Sequence, residues 1–131
     1  MKRKKRKRRA VNLRYMVAVP IPALDRRGHP LAQERILPWK DRIEELLTQR
    51  FGGVTPMQSP GRNQVGDGHG GSLTLYEKGQ VLLLAACKDR AAFRACRAEI
   101  ERLVEDMGKS LDQDSVIVLA FPAESCLIEL P

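Results

Sequence analysis

The residues best placed to do chemistry sit in one glycine-rich stretch. Residues 66–72 read Gly-Asp-Gly-His-Gly-Gly-Ser. A carboxylate and an imidazole two positions apart, Asp67 and His69, can share a proton as an acid–base pair. The glycines around them let backbone N–H groups come close to a ligand. Arg62, earlier in the same segment, adds a permanent positive charge that suits a small anion. The stretch fits no stronger pattern. His-Gly-Gly occurs in oxyanion loops, but the chain has no G-x-S-x-G elbow to supply a nucleophile. A phosphate-cradling loop needs a lysine directly before its Ser or Thr and a helix after it. Here Gly71 precedes Ser72 and the pattern that follows is that of a strand, which also excludes a dinucleotide fingerprint.

A second chemistry-bearing run opens the chain. Lys2, Arg3, Lys4, Lys5, Arg6, Lys7, Arg8 and Arg9 are consecutive and include no acid. Such a block repels itself and has little apolar surface to bury, so residues 1–12 are expected to form a disordered basic arm. It would serve as a solubilising tail or would contact DNA or RNA by displacing phosphate counterions. With no aromatic or amide side chain to read bases, that contact would be sequence-blind. The net charge of +7 includes these eight residues, so the remainder of the chain is close to neutral.

Metal chemistry is not expected. Cys87, Cys96 and Cys126 form no C-x-x-C pair, and only His29 and His69 could complete a ligand set. The thiols read as small buried hydrophobes in a reducing cytoplasm, with no cofactor. Glu99, Glu101, Glu105 and Asp106, interleaved with Arg97 and Arg102, read as a solvated helix face. No run approaches the ~18 apolar residues of a membrane span. Arg14, Pro20 and Pro22 punctuate the apolar segment after the arm, and no small-x-small cleavage site follows it, which argues against export.

The elements that must position these groups are legible from apolar spacing. Residues 81–87, Val-Leu-Leu-Leu-Ala-Ala-Cys, are apolar throughout and bounded by Lys78-Gly79 and Lys88-Asp89, as in a strand buried on both faces. Residues 13–20 form a second central strand ended by Pro20 and Pro22. From Pro38, placed in a first helical turn, Trp39, Ile43, Leu46, Leu47 and Phe51 recur at helical spacing until Gly52-Gly53. Residues 54–71 then form a long Gly/Pro-rich loop. Residues 72–77 alternate like an edge strand and return through Lys78-Gly79 into 80–87 as a hairpin. Asp89 caps a helix with Phe93, Cys96, Ile100, Leu103, Val104 and Met107 on its inner stripe, ended by Gly108. Residues 115–121 give the last main strand, broken by Pro122, with 126–130 as a short fifth edge strand.

Strand, helix, strand, strand, helix, strand is the split βαβ order. Residues 13–131 therefore read as one α+β domain that resembles the ferredoxin-like fold. That resemblance implies an antiparallel sheet in 4-1-3-2 order with two helices on one face. The RNA-binding variant of this fold stacks bases on third-strand aromatics, and residues 81–87 have none. With helices on one face only, Met16, Ala18, Leu82, Leu84 and Ala86, or their neighbours of opposite parity, would lie bare on the other. A covering partner is expected there, most simply a second copy.

Phe51-Gly52-Gly53-Val54-Thr55 resembles the F-G-G-x-T motif of a loosely defined group of small bacterial proteins. In that group the motif ends a helix, a glycine-rich loop follows, and a strand begins near a glutamate, here Glu77. Residues 111–116 resemble the group's approach to its last strand. The resemblance brings no activity with it. The functional expectation from sequence is a non-enzymatic small subunit or adaptor, a homodimer or part of a larger complex. It would associate through its sheet face and touch nucleic acid through its arm. The alternative is a small enzyme or anion-binding module that uses the loop around Asp67 and His69.

Overall fold

The computed structural model describes residues 9–66 and 69–130. Lys2 to Arg8, the bulk of the expected basic arm, lie outside the described residues, as does Asp67. The order of elements is β1 (Arg9–Ile21), α1 (Gln33–Phe51), β2 (Thr55–Gln58), β3 (Gly61–Gly66), β4 (Ser72–Glu77), β5 (Val81–Cys87), α2 (Arg90–Ser110) and β6 (Leu119–Glu129). Four strands form an antiparallel sheet in the order β2-β5-β1-β6, and β3 and β4 form a separate antiparallel pair. The fold is α+β, with an antiparallel sheet and two helices, and is compatible with a ferredoxin-like sandwich.

Strands β1 and β5 sit in the middle of the sheet, as their unbroken apolar runs require. Tyr15, Val17, Val19 and Ile21 on β1, with Leu83, Ala85 and Cys87 on β5, point toward the helices and share one core with Ile43 and Leu47 of α1 and Ile100 and Val104 of α2. Tyr15 and Phe93 are in ring contact, with centroids 5.9 Å apart. The stripe on α2 recurs every three or four residues (Phe93, Cys96, Ile100, Val104, Met107), and burying it holds the helix far more strongly than propensity does. The Asp89 carboxylate caps α2 by accepting from the Ala92 N–H at 2.8 Å. Helix α1 stops at Gly52, whose left-handed φ of 89° lets its N–H reach the Thr48 carbonyl at 2.8 Å.

Five expectations are corrected. The main-sheet edge strand is β2, not residues 72–77; those residues form β4, which pairs with β3 instead of with 81–87. The alternation of Leu73 and Leu75 is real strand patterning, but alternation cannot say which partner a strand takes. The expected loop 54–71 thus contains two strands, β2 and β3. Helix α1 begins at Gln33, so Pro38 lies inside it and not in its first turn. Burial of Leu31 and Ile36 outweighs the hydrogen bond that Pro38 removes. Helix α2 continues past Gly108 to Ser110 and ends in a Schellman-type turn. There Asp112, at φ 53°, takes the left-handed position, and the Gln113 N–H bonds the Gly108 carbonyl at 2.9 Å.

The fifth correction concerns the two terminal strands. Strand β1 starts at Arg9, so Arg9 and residues 10–12 belong to the sheet and not to an arm. Strand β6 is one element that runs through Pro122, in place of two pieces. Proline is tolerated because β6 is an edge and needs donors on one side only. The β1–β6 register shifts between Leu13 and Tyr15, and the Arg14 N–H turns to the Lys88 carbonyl at 3.1 Å.

The register also defines the face away from the helices. Met16 lies between Ala86 and Phe121, and Ala18 between Leu84 and Leu119. Leu84 and Leu82 continue outward to Thr55 and Met57 on β2. Of the parities weighed from sequence, it is the one with Met16, Ala18, Leu82, Leu84 and Ala86 that faces away from the core.

Candidate functional site

The hairpin β3–β4 is inserted between edge strand β2 and central strand β5, and it carries the glycine-rich sequence at its tip. Its base is tight. The Ser59 N–H bonds the Gln80 carbonyl at 2.8 Å, and a Cβ on Gly61 would lie 2.7 Å from Gln80 Oε1. Gly61 faces Glu77 and Gly66 faces Ser72 in the ladder, which leaves residues 67–71 as the connection. His69 lies in that connection and is exposed, and Gly70 takes a φ of 83° that only glycine adopts freely. Arg62 is four residues back along β3, about 13 Å at strand rise. The candidates Arg62 and His69 are therefore at opposite ends of the hairpin and do not form one site.

What the structure does bring to the tip is Asp114. Its Oδ2 accepts from the Gly66 N–H at 3.3 Å, joining the hairpin to the segment between α2 and β6. That segment is pinned from the other side as well. Arg26 pairs with the Asp112 carboxylate at 3.0 Å and donates to the Gln113 carbonyl at 3.2 Å, and Gln113 Nε2 donates to the Leu24 carbonyl at 2.8 Å. The Leu24 side is itself a stiff turn. The Asp25 carboxylate accepts from the Arg27 and His29 backbone N–H groups, both at 2.9 Å. Partial burial acts to raise the pKa of Asp25. Those two hydrogen bonds, with the nearby His29 and Arg27 charges, outweigh it and hold the carboxyl below the ordinary carboxylate value. His29 is thus a turn residue beside Asp25 and stands apart from the hairpin tip. An exposed imidazole on a glycine-rich connection, in a hairpin whose Gly66 is held by the Asp114 carboxylate, can accept a proton and present N–H donors to a polar group.

A second cluster lies at the opposite end of the sheet, where β5 closes. Tyr15, Arg90, Phe93, Arg94, Arg97, Glu101, Val118 and Ala120 line a pocket of about 250 Å³. Arg97 is engaged by Glu101 at 2.7 Å, and that hydrogen bond stabilises its charged form. Among the described residues Arg90 and Arg94 have no ion-pair partner, and the hydroxyl of Tyr15, a residue only 9% exposed, has no hydrogen-bond partner. From sequence the arginines are indistinguishable from a solvated helix face; only the fold sets them over Tyr15.

The remaining candidates are structural. Cys87 and Cys96 are free and buried, and burial pushes both thiols up, away from the reactive thiolate. Among the described residues no group of three His, Cys, Asp or Glu could hold a metal ion, and no helix is long and apolar enough to cross a membrane. Trp39 is half-buried, donates to the Ser110 hydroxyl at 3.0 Å and carries the Arg42 guanidinium 5.0 Å from its ring.

No protein-family model matches the sequence, and no curated protein matches it. Among solved structures, a phage SAM lyase in complex with S-methyl-5'-thioadenosine is similar to this chain, with a TM-score of 0.54 and 12% sequence identity. The match covers 89% of this chain and 91% of that one. At this identity the likeness is one of fold. It nevertheless corrects the expectation of a non-enzymatic adaptor: that reading rested on the lack of a recognisable catalytic motif, and a chain of nearly the same extent and fold is an enzyme.

Proposed function

We propose that this chain is a small enzyme on a ferredoxin-like sandwich, acting on an adenosine-derived sulfonium or thioether compound at the hairpin tip. The observation that carries the reading is the hairpin itself. It projects from the junction of β2 and β5, ends in Gly-His-Gly-Gly, and is held onto Asp114. The shared fold of a SAM lyase supports the substrate class. The chemistry suits so sparse a site. When a sulfonium loses a carbon substituent, the electron pair of the broken S–C bond returns to sulfur and a neutral thioether departs. No acid is needed for that leaving group. One base that removes a proton from the departing carbon fragment is enough, and His69 fills that role, with Asp114 held at the same hairpin tip.

Incubation with S-adenosylmethionine, followed by chromatography for S-methyl-5'-thioadenosine, tests the proposal. Enzyme-dependent release is the expected result, with His69→Ala slowed ~10²-fold or more and Asp114→Asn slowed less. A protein that releases no S-methyl-5'-thioadenosine and binds neither compound refutes the proposal.

A second reading, an anion-binding module, is favoured by the pocket that Arg90 and Arg94 line together with Tyr15. It places a phosphate or carboxylate group in the arginine pocket, one strand length (about 20 Å) from the hairpin. Titration with inorganic phosphate, read by arginine side-chain NMR, supports it if Arg90 and Arg94 shift saturably and removes it if they do not.

A further inference from the structure

Among the described residues, no layer covers the face of the sheet away from the helices. Phe121, Leu119 and Met57 are 42%, 40% and 49% exposed, and Met16, Leu82 and Leu84 between them are half-buried. The register aligns these side chains in adjacent rows across all four strands, and the rows contain no charged residue. An antiparallel sheet with one solvated face normally alternates apolar with polar positions; β5 and the β1 segment facing it do not. Scattered apolar residues on a surface need no explanation, but a contiguous patch spanning a sheet does.

We infer that a second copy of the chain covers this face, sheet against sheet about a two-fold axis. The described residues offer no cover. Both helices are committed to the other face, and the hairpin β3–β4 is anchored to Asp114 while leaving Met57, Leu119 and Phe121 exposed. Residues 2–8 are all basic, a composition unsuited to burial on a chargeless apolar surface. A two-fold contact sets each position against its own symmetry mate's surroundings, so a face with no charge meets no like-charge opposition. Aligned sheets pack ~10 Å apart with side chains interleaved, and pairing two such faces buries on the order of 1,000 Å² in total, the threshold for a specific interface. Both copies keep the hairpin tip and the arginine pocket free, because each lies at an end of the sheet.

Light scattering after size exclusion, over a range of protein concentrations, tests the inference. The native chain is expected at twice its 14.7 kDa mass, and a higher multiple overturns the two-fold pairing. Met57→Lys and Phe121→Glu are each expected to return it to the single-chain mass with helical circular dichroism intact. A native protein that stays at one chain mass at hundreds of micromolar overturns the inference. So does an assembly that survives both substitutions, since its contact would lie elsewhere. Should either variant lose its helical signal, Met57→Cys provides a conservative readout. Its maleimide labelling, corrected for the native thiols, is expected to slow several-fold as concentration rises, and a concentration-independent rate overturns the inference.

Discussion

Gly108 sits inside the last turns of α2, where alanine should be the better residue by ~1 kcal/mol. We expect Gly108→Ala to destabilise the protein instead. An added Cβ would stand 2.5 Å from Val116 Cγ1, more than 1 Å inside ordinary contact. Valine is stiff at χ1 and cannot swing away freely. Overpacking of this kind costs about 1–3 kcal/mol, which leaves a net loss of about 1 kcal/mol after the helical gain. Val116 is 39% exposed, so Val116→Ala alone is expected to be mild. In that background Gly108→Ala should turn neutral or stabilising. Urea unfolding of the four proteins gives the cycle, with an expected coupling of ~2 kcal/mol. The effect also reaches the site, since Asp114 lies two residues before Val116. Displacing this segment weakens the Asp114–Gly66 hydrogen bond, and amide exchange at Gly66 should speed up. A Gly108→Ala protein as stable as the native one, with unchanged exchange at Gly66, would refute the reasoning.

Two further effects follow from the turns that brace the site. Asp89→Ala removes the cap on the Ala92 N–H and should cost ~1 kcal/mol by chemical denaturation, whereas Asp89→Asn should cost little. Asp25 has a folded-state pKa held below its ordinary 3.8, so its contribution is full above that value and is lost as pH falls through the lower folded value. The stability gap between the native protein and Asp25→Asn should therefore be larger at pH 6 than at pH 2.5, and an equal gap at both would contradict the assignment.

Much of this architecture is legible in residue order. The all-apolar stretch at Val81–Cys87 sets a central strand, and the stripe from Phe93 to Met107 sets a helix, because burial on both faces or on one stripe leaves few other solutions. What the sequence leaves open is pairing. Residues 72–77 alternate as an edge strand should, yet their partner is β3, because Gly61 and the residues after it can close a hairpin before the chain returns to the main sheet. Likewise Gly108 looks like a helix stop until Val116 is seen against it; its small size answers to packing, and Asp112 does the turning. The site is legible only by half. His69 stands out through its glycine neighbours, but Asp114 meets Gly66 across 48 residues, and no local spacing announces that contact. The arginine pocket is hidden for the same reason, since Tyr15 and α2 meet only in the folded chain. The proposed activity has no signature in the sequence either, because the reaction proposed asks for one base, and a single histidine forms no motif.

The most direct measurement is backbone NMR of the folded protein titrated with S-methyl-5'-thioadenosine. The account expects saturable shifts confined to Gly66, His69, Gly70 and Asp114, reduced in His69→Ala. A ligand that shifts none of these amides, or shifts only residues of α1 and α2, would contradict it.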